Sequence, residues 1–358
     1  MTVHWCGTGL SSVPGLRRLI QDGHTVTVWN RTVEKAHKAV GDLIDDIRVF
    51  DPAALAVAVE PGDVVVSMLP GDWHVQLAQL AIDHGAHFVS SSYIAPEMRA
   101  LDAAAKMAGV ALVNEVGLAP GIDHLMAHHL VAEYRKSPAY NAENVISFKS
   151  YCGGVPKVAN AFRYKFSWAP VGVLKALRSP SRSIRHHTEL EVKRPWDAIT
   201  RYDAPLPQPE AFEVYPNRDS LPFMADYQFE STWPVKEFVR GTLRLNGWTD
   251  AWAHIFAEVG TASDDRLTEM AAELLEQNAY APDEPDRVVL CVDLLAEKDG
   301  RPVWHKTYVM DAWGDARGTA MARLVSVPVS LAIEAVLNRE IPAGVSPAPH
   351  DPRLVERW

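Results

Sequence analysis

The first residues that could do chemistry lie in the opening stretch MTVHWCGTGLSSVPG. Gly7 and Gly9 follow a short apolar run, and Ser12 takes the last place of a G-x-G-x-x-G pattern. In a dinucleotide-binding fold the first glycine makes the turn and the second lets the backbone approach the pyrophosphate, beside free N–H groups of a helix start. Pro14 is compatible with such a helix start, since the first N–H groups have no intrahelical acceptor. The stretch therefore predicts a cofactor-binding turn; the alternative is a strand-to-helix turn without a ligand.

The residues Asn30-Arg31-Thr32, which end the stretch TVTVWNRT, indicate which dinucleotide is bound. Enzymes that prefer NAD usually carry Asp or Glu here, which accepts hydrogen bonds from the ribose 2′-hydroxyl. No carboxylate stands here, and the guanidinium of Arg31 can make charge-assisted hydrogen bonds to a 2′-phosphate. The sequence therefore favours NADP over NAD, the alternative being an ordinary exposed arginine at a helix N-terminus.

In residues 2–115, short β-rich runs alternate with amphipathic segments. The strands and helices that these predict must position the glycine turn. Strands are predicted for TVHWC, TVTVWN, IRVF, DVVVSML, HFVSSS and VALVNEV. Helices are predicted for 12–22, 32–41, 51–59, 73–84 and 96–107. Repeated strand–helix alternation is typical of an α/β fold with a doubly wound parallel sheet and right-handed crossovers.

The pattern changes beyond residue 141, where aromatics, prolines and charges become frequent up to residue 250. ISFKSYCGG reads as a strand, and 249–277 reads as two helices. An antiparallel hairpin is predicted around Asp299-Gly300, which is a favoured tight-turn pair. We expect the apolar helix predicted at 316–338 to pack against the first domain.

Composition narrows the classes of function. The net charge is −10 and no block of basic residues occurs, which argues against nucleic acid as a partner. We expect no membrane span, because no apolar stretch reads as long enough, and no signal peptide. The three cysteines, in no metal-binding spacing, are expected to be reduced thiols of a cytoplasmic protein.

The stretch VSSSYIAPEMRALDAAAKMAGVALVNEVGLAPGIDHLMA resembles the saccharopine reductase branch of the saccharopine dehydrogenase family. These are NADP-linked, glutamate-forming enzymes of lysine metabolism. Further matching motifs follow in the family's order at 150–156, 164–168, 215–223, 240–248 and 321–328. The resemblance implies a Rossmann-type NADP-binding domain formed by 1–121 plus about 316–358. It also implies an inserted α+β domain at 122–315 that carries substrate contacts and the interface of a homodimer.

The resemblance assigns cofactor contacts to single residues of this sequence. The turn from Gly7 and Thr8 through Gly9, Leu10 and Ser11 would hold the pyrophosphate, and Asn30, Arg31 and Thr32 the 2′-phosphate. Other cofactor contacts would come from Met68, Leu69, Ser90, Ser91, Leu118, Ala119, Pro120 and Trp168.

Substrate contacts are implied in the same way, for Ser92, Tyr93, Cys152, Arg218, Thr242 and Arg244. Saccharopine is a secondary amine with three carboxylates, so its site needs fixed cations, and Arg218 and Arg244 offer planar bidentate recognition. Arg240 is a competitor that ranks lower. The alternative for each arginine is a surface salt bridge.

The reaction that the resemblance implies is an oxidoreduction at a CH–NH group. Glutamate and aminoadipate semialdehyde condense to an imine, which NADPH reduces to saccharopine, or the reverse. Tyr93 and Cys152 are the candidate acid or base groups; as alternatives, they are a core aromatic and a small buried residue. Two other functions stay open: the same chemistry on another carboxylated secondary amine, such as a polyamine precursor or an opine, and a non-catalytic NADP-binding sensor.

The sequence also departs from the family. Ala119 stands where the family usually has an aspartate, which puts the substrate in doubt and removes one candidate base. Ser326 occupies a frequent glycine position, and the inserted domain is somewhat shorter than in fungal enzymes. Asp123 is interpreted as a carboxylate that stabilises the first turn of a helix, the alternative being a direct role in catalysis. The pairs His128-His129 and His186-His187 lack further ligands at metal-binding spacing, so no metal is expected.

Overall fold

A computed structural model describes residues 1–281 and 284–358 of the chain. Its contacts divide the chain into two units. The first unit comprises Met1–Leu125 and Ala322–Trp358, and the second unit comprises Met126–Met321.

The strands, in chain order, are β1 (Val3–Cys6), β2 (Val26–Asn30), β3 (Ile47–Val49), β4 (Val64–Ser67), β5 (His87–Ser90), β6 (Ala111–Val113), β7 (Val145–Pro156), β8 (Ser181–Arg185), β9 (Thr188–Val192), β10 (Thr200–Ala204), β11 (Glu210–Pro216), β12 (Val235–Leu245), β13 (Asp286–Lys298), β14 (Arg301–Trp313) and β15 (Gly344–Ser346).

The α-helices are α1 (Val13–Gln21), α2 (Val33–Val40), α3 (Pro52–Ala58), α4 (His74–Asp83), α5 (Pro96–Arg99), α6 (Asp102–Ala108), α7 (Ile122–Lys136), α8 (Pro170–Leu177), α9 (Pro222–Asp226), α10 (Trp248–Ala251), α11 (Ala253–Val259), α12 (Asp264–Gln277), α13 (Ala320–Leu337) and α14 (Pro352–Arg357). Two short 3₁₀ helices span Gly71–Trp73 and Pro195–Ala198.

The sheet of the first unit has seven strands in the order β15-β6-β5-β4-β1-β2-β3. Every neighbouring pair in it is parallel. Six of these strands follow the doubly wound order of the Rossmann fold, in which the chain reverses direction across the sheet at β1 and β4. The predicted α/β fold is confirmed, and each of the six predicted strands is present. The seventh strand, β15, escaped prediction because it is three residues long and follows the Pro-Ala-Gly turn at 342–344.

The parallel sheet is apolar on both faces, because helices cover each side. Trp5 and Val66 point into one buried cluster, and Val65 and Phe88 point into another. Helix α13 joins the first cluster through Val329, Ala332, Ile333 and Val336. The expectation that no apolar stretch reaches membrane-spanning length was wrong for α13, which passes by length and composition. Its burial in this cluster is what a core helix shows.

Helices α1 and α13 approach each other most closely at Gly15. A Cβ atom on Gly15 would lie 1.9 Å from the carbonyl oxygen of Ser326. The N–H of Gly15 donates to Ser326 Oγ at 2.8 Å, and that hydroxyl donates to the carbonyl of Ala322 at 2.6 Å. The small residue at 326 therefore permits this contact and also bridges the two helices.

The second unit is built on an eight-stranded mixed sheet with the path β10-β11-β12-β7-β13-β14, and β8 pairs with both β12 and β9. Only β7 and β12 run parallel; the other pairs are antiparallel. The predicted hairpin is confirmed: β13 and β14 join at Asp299 and Gly300, whose φ angles of 52° and 73° fit a left-handed two-residue turn. Residues 249–277 form parts of three helices, not two, because Trp252 separates the end of α10 at Ala251 from the start of α11 at Ala253.

Helices of the second unit pack over a cluster rich in aromatic side chains. Tyr164, Trp248 and Trp252 are fully buried there, and the rings of Trp248 and Trp252 lie 5.1 Å apart. Large aromatic side chains supply much buried area per residue, with further stabilisation from their ring contacts.

Replacement of Gly15 by alanine tests the contact between α1 and α13. Alanine is the better helix former by about 1 kcal/mol, yet overpacking costs about 1–3 kcal/mol. We expect the Gly15→Ala variant to lose about 1–2 kcal/mol in free energy of unfolding, as measured by urea denaturation. Gly71→Ala is the matched control in the same unit, since its Cβ meets nothing within 4 Å. An unfolding midpoint at or above that of the wild type would contradict the close approach.

Candidate functional site

Predicted cofactor residues of the first unit gather at one edge of its sheet. Gly7 follows β1, Asn30 ends β2, Met68 follows β4 and Ser90 ends β5. Since parallel strands end at the same edge, these positions share the carboxyl side. Strands β1 and β4 are neighbours, and the crevice beside such a switch point is where doubly wound sheets bind nucleotides.

The turn after β1 is shaped by Gly7. Its φ is 103°, and a Cβ atom there would lie 2.9 Å from the carbonyl oxygen of Met68. Gly9 has no heavy atom within 4 Å of its would-be Cβ, so the turn is open at that point. The buried Oγ1 of Thr8 has no hydrogen-bond partner among the described residues. An unpartnered hydroxyl beside an open glycine fits the phosphate cradle predicted for this turn.

Asn30 connects this turn to the end of β2. Its Oδ1 accepts from the N–H of Thr8 at 3.0 Å, and its Nδ2 donates to the carbonyl of Thr32 at 2.7 Å. Arg31 is exposed, and within the described ranges no carboxylate forms an ion pair with it. The structure thus leaves Arg31 available to an anion, whereas both polar ends of the Asn30 amide are already engaged.

The serine-rich loop after β5 is held by residues that the sequence reasoning missed. Ser90 Oγ donates to Asn114 Oδ1 at 3.0 Å, and both residues are buried. Glu115 accepts from the N–H of Ile94 at 2.9 Å and donates its own N–H to the carbonyl of Ser92 at 3.0 Å. The available signal was the polar pair Asn114-Glu115 inside the apolar run VALVNEV.

His74 at the start of α4 is a further residue that was missed. One ring nitrogen, Nδ1, lies 2.8 Å from Ser67 Oγ, and the other, Nε2, lies 2.8 Å from Ser92 Oγ. Burial lowers the pKa of His74 to about 4, against a smaller opposing effect of the Asp72 carboxylate. The imidazole is therefore neutral at pH 7.

The Leu118–Pro120 turn is closed by hydrogen bonds between its ends. The N–H of Gly117 donates to the carbonyl of Pro120 at 2.9 Å. Gly121 has φ 144°, and a Cβ there would lie 2.0 Å from the carbonyl oxygen of Gly117. Asp123 Oδ1 accepts from the backbone N–H groups of Gly121 and His124 at 2.8 and 3.0 Å. These contacts confirm the interpretation of Asp123 as a carboxylate of the first helical turn.

Three of the predicted substrate residues share one face of the second unit's sheet. Thr242 on β12 is the register partner of Cys152 on β7, and on its other side it faces Tyr215 on β11. Arg244 lies two residues beyond Thr242, so its side chain is on the same face. Tyr215 is the first residue of the matching motif at 215–223, but only the pairing of β11 with β12 shows that it lies beside Thr242.

Arg244 is buried, with 4% of its surface exposed. Its guanidinium carbon lies 4.8 Å from the ring centre of Tyr164, 5.5 Å from that of Tyr215 and 5.4 Å from that of Trp248. Nη2 donates to the Tyr215 hydroxyl at 2.9 Å, and Nη1 donates to the carbonyl of Leu243 at 3.1 Å. The buried Nε has no hydrogen-bond partner, and no carboxylate of the described chain pairs with this cation.

The other arginines of the motifs differ from Arg244. Arg218 is exposed, has φ 58°, and accepts through its carbonyl from the N–H of Arg182 at 3.0 Å. Arg240, which the sequence ranked lower, is buried, stacks 4.1 Å from the ring centre of Phe223, and alternates onto the face of Thr242. Because Arg240 is as deeply buried as Arg244, it is a second candidate for binding a substrate carboxylate.

The remaining predicted residues stand as predictions. Tyr93 and Cys152 are partly buried, and both make contacts. Trp168 is partly buried against the aromatic cluster of the second unit. Among residues 1–281 and 284–358, no group of His, Cys, Asp or Glu side chains is placed to hold a metal ion.

Two family domains match the sequence: the saccharopine dehydrogenase NADP binding domain at residues 3–113 and the saccharopine dehydrogenase C-terminal domain at 117–358. The saccharopine dehydrogenase [NADP(+), L-glutamate-forming] of Pyricularia oryzae is 36% identical over 266 residues, covering 72% of this chain and 57% of that protein. The enzyme of the same name from Schizosaccharomyces pombe is 34% identical over 291 residues, covering 77% and 60%. In these comparisons the chain spans less than two thirds of the length of either relative.

Solved structures show the same fold. Apo saccharopine dehydrogenase (L-Glu forming) from Saccharomyces cerevisiae superimposes with a TM-score of 0.82 and 26% identity, over 99% of this chain and 96% of that one. A homospermidine synthase from Legionella pneumophila superimposes with a TM-score of 0.68 over 99% and 88% of the two chains. At 12% identity, the second likeness concerns the fold alone.

Replacement of Arg31 by alanine tests the predicted 2′-phosphate contact. The variant should bind NADPH roughly 10- to 100-fold more weakly, because charge-assisted hydrogen bonds are lost, and should bind NADH unchanged. Fluorescence titration of the reduced nicotinamide measures both affinities. Arg48→Ala is the matched control, since Arg48 is another exposed arginine near the sheet edge but is paired with Asp46 at 2.7 Å. An unaltered preference for NADPH would remove Arg31 from the site.

Proposed function

Because this chain belongs to the saccharopine dehydrogenase family, whose NADP-binding domain it carries at residues 3–113, we propose that it is an NADP(H)-dependent oxidoreductase acting on a C–N bond. Its substrates would be glutamate and aminoadipate semialdehyde in one direction and saccharopine in the other. The observation that carries this proposal is the buried guanidinium of Arg244, which no carboxylate of the described residues pairs with.

A cation that is removed from water is costly unless an anion or hydrogen-bond acceptors replace its hydration. Three aromatic faces and two hydrogen bonds offset part of that cost for Arg244, but its Nε is left unsatisfied. A substrate carboxylate would supply both the missing charge and the missing acceptor. This requirement supports a substrate that is an amino acid or is derived from one.

The first unit supports the cofactor part of the proposal. The open turn at Gly9, the unpartnered Thr8 hydroxyl and the unpaired Arg31 offer groups for a pyrophosphate and a 2′-phosphate. The chemistry that the bound cofactor would supply is hydride transfer to or from the carbon of the C–N bond.

The protein's own residues would bind, orient and exchange protons. Formation of the imine needs proton transfers to the carbinolamine oxygen as water leaves, and Tyr93 and Cys152 are the groups that we propose for this role. Arg218, Thr242 and Arg244 would orient the carboxylates. The substrate's own amine can accept and donate some of these protons. The loss of either Tyr93 or Cys152 should therefore reduce turnover only modestly.

A second candidate is the same reaction on another carboxylated secondary amine, such as an opine or an acidic polyamine precursor. The observation that favours it is Ala119, since the family usually has an aspartate at that position. The missing carboxylate would change the charge that a substrate amine meets there. A non-catalytic NADP-binding sensor is the third reading, and the buried cation of the second unit speaks against it.

A homodimer and a cytoplasmic location complete the proposal. Strand β14 is an edge strand thirteen residues long, and such an edge offers unpaired N–H and C=O groups to a second copy. Cys6, Cys152 and Cys291 form no disulfide within the described residues, as suits a reducing compartment.

Incubation of the protein with saccharopine and NADP tests the function directly, with the absorbance of reduced nicotinamide as the readout. We expect turnover that depends on both compounds. Turnover with another N-linked amino acid but not with saccharopine would favour the second candidate. Binding of NADPH without turnover of any amine would favour the sensor.

The Arg244→Lys variant tests the guanidinium itself. An ammonium cannot form a bidentate pair with a carboxylate, so the KM for saccharopine should rise roughly 10- to 100-fold. The dissociation constant for NADPH should stay unchanged. Arg201→Lys is the matched control, because Arg201 lies on β10 of the same sheet and pairs with Asp203 at 2.8 Å. Equal kinetics of the two variants would exclude Arg244 as a carboxylate contact.

A further inference from the structure

We propose that His74 is a positioning residue that fixes the Ser92 hydroxyl as a hydrogen-bond donor toward a carboxylate of the substrate. This inference rests on the proposed function, because Ser92 is assigned to the substrate there. It adds a residue to the site and a reason why the group bound beside Ser92 should be an anion.

Ser67, His74 and Ser92 form a continuous chain of hydrogen bonds. Ser67 ends β4, His74 begins α4 and Ser92 lies two residues beyond β5. Both contacts of the imidazole are 2.8 Å long. Within the described residues, the hydroxyl groups of Ser67 and Ser92 have no hydrogen-bond partner other than His74. The backbone N–H of Ser92 donates separately to Ser90 Oγ at 3.4 Å.

The burial of the three residues decreases along the chain toward Ser92. Ser67 is 1% exposed and His74 is 7% exposed, whereas Ser92 is only partly buried. Ser92 is also held through its backbone, since its carbonyl accepts from the N–H of Glu115 at 3.0 Å. The open end of the chain is therefore a hydroxyl in a fixed place.

The neutral imidazole has one donor and one acceptor nitrogen, and Ser67 decides which is which. The buried Ser67 hydroxyl carries one proton, and among the described residues the only acceptor within reach is His74 Nδ1. A buried hydroxyl proton without an acceptor is disfavoured, so Ser67 donates and Nδ1 is unprotonated. The proton of the neutral ring must then be on Nε2, which donates to Ser92 Oγ.

Donation from His74 Nε2 determines whether the Ser92 hydroxyl acts as a donor or an acceptor toward the substrate. Its oxygen accepts from His74, so its own proton is free to point toward the partly open side. The hydroxyl proton can be donated to an acceptor such as a carboxylate, whereas an ammonium group could use only the second lone pair of the oxygen. The pair would therefore favour an acidic substrate over a purely cationic polyamine.

Two substitutions at position 74 separate the two contacts of the ring. The amide nitrogen of glutamine can replace Nε2 and donate to Ser92, whereas the shorter asparagine reaches only toward Ser67. We expect His74→Asn to raise the KM for saccharopine roughly tenfold with kcat little changed, and His74→Gln to restore most of the affinity. NADPH affinity should be unchanged in both. Equal KM values for the two variants would overturn the proposal.

A double-mutant cycle distinguishes positioning from a general structural role. In a Ser92→Ala background, the His74→Asn substitution should cause no further rise in KM, because the hydroxyl that His74 holds is absent. Additive effects of the two substitutions would show that His74 acts elsewhere.

The tautomer can be measured on the unaltered protein, which covers the case in which a variant fails to fold. In two-bond ¹H–¹⁵N spectra at neutral pH, His74 should show a protonated Nε2 and a bare Nδ1. A protonated Nδ1 would reverse the direction of both hydrogen bonds and overturn the inference. Failure of the proposed function gives a different result, namely no turnover of saccharopine by the wild type, whatever the tautomer.

Discussion

The first unit depends on a close backbone approach at the switch point of its sheet. Gly7 leaves β1 with a positive φ, and a side chain there would meet the carbonyl of Met68 at the end of β4. Because β1 and β4 are parallel neighbours, the two strand ends can come so close only where one of them carries no Cβ. This approach sets the distance between the first turn and the end of β4, at the edge where the end of β2 and the serine loop also lie.

The cation proposed for binding in each unit, Arg31 in the first and Arg244 in the second, satisfies a different physical requirement. Arg31 is exposed, so its charge costs little and its interaction with a phosphate would be screened by salt. Arg244 is buried among aromatic rings, where its charge is expensive but its interaction with a carboxylate would be strong. The proposed nucleotide contact, Arg31, therefore lies on the surface of the first unit, whereas the proposed substrate contact, Arg244, lies in the core of the second unit.

The sequence predicted those features that depend on local patterns. The six strands of the first sheet, the glycine turn and the Asp299-Gly300 hairpin each follow from hydrophobic periodicity or turn chemistry within a few residues. His74, Asn114 and the ring of Tyr215 were missed because their partners lie far away along the chain: Ser92, Ser90 and Arg244. A buried polar residue carries no local sign of the partner that satisfies it. The third helix within 249–277 was missed for another reason, since a break of one residue leaves the helical periodicity almost intact.

Two of the buried polar atoms that lack a hydrogen-bond partner within the described residues, one in each unit, lie where we propose that ligand anions bind. Native proteins rarely bury a polar atom without a partner, so each exception calls for a reason. Thr8 Oγ1 lies in the turn predicted for a pyrophosphate, and Arg244 Nε lies on the face predicted for a carboxylate. If either atom were merely a packing defect, a substitution that removed it would stabilise the protein, as apolar replacement of a half-satisfied polar group often does. If both are binding groups, their desolvation is compensated only when the anion is present. The free protein is then less stable than its core would allow, and the ligand contributes part of the folding free energy.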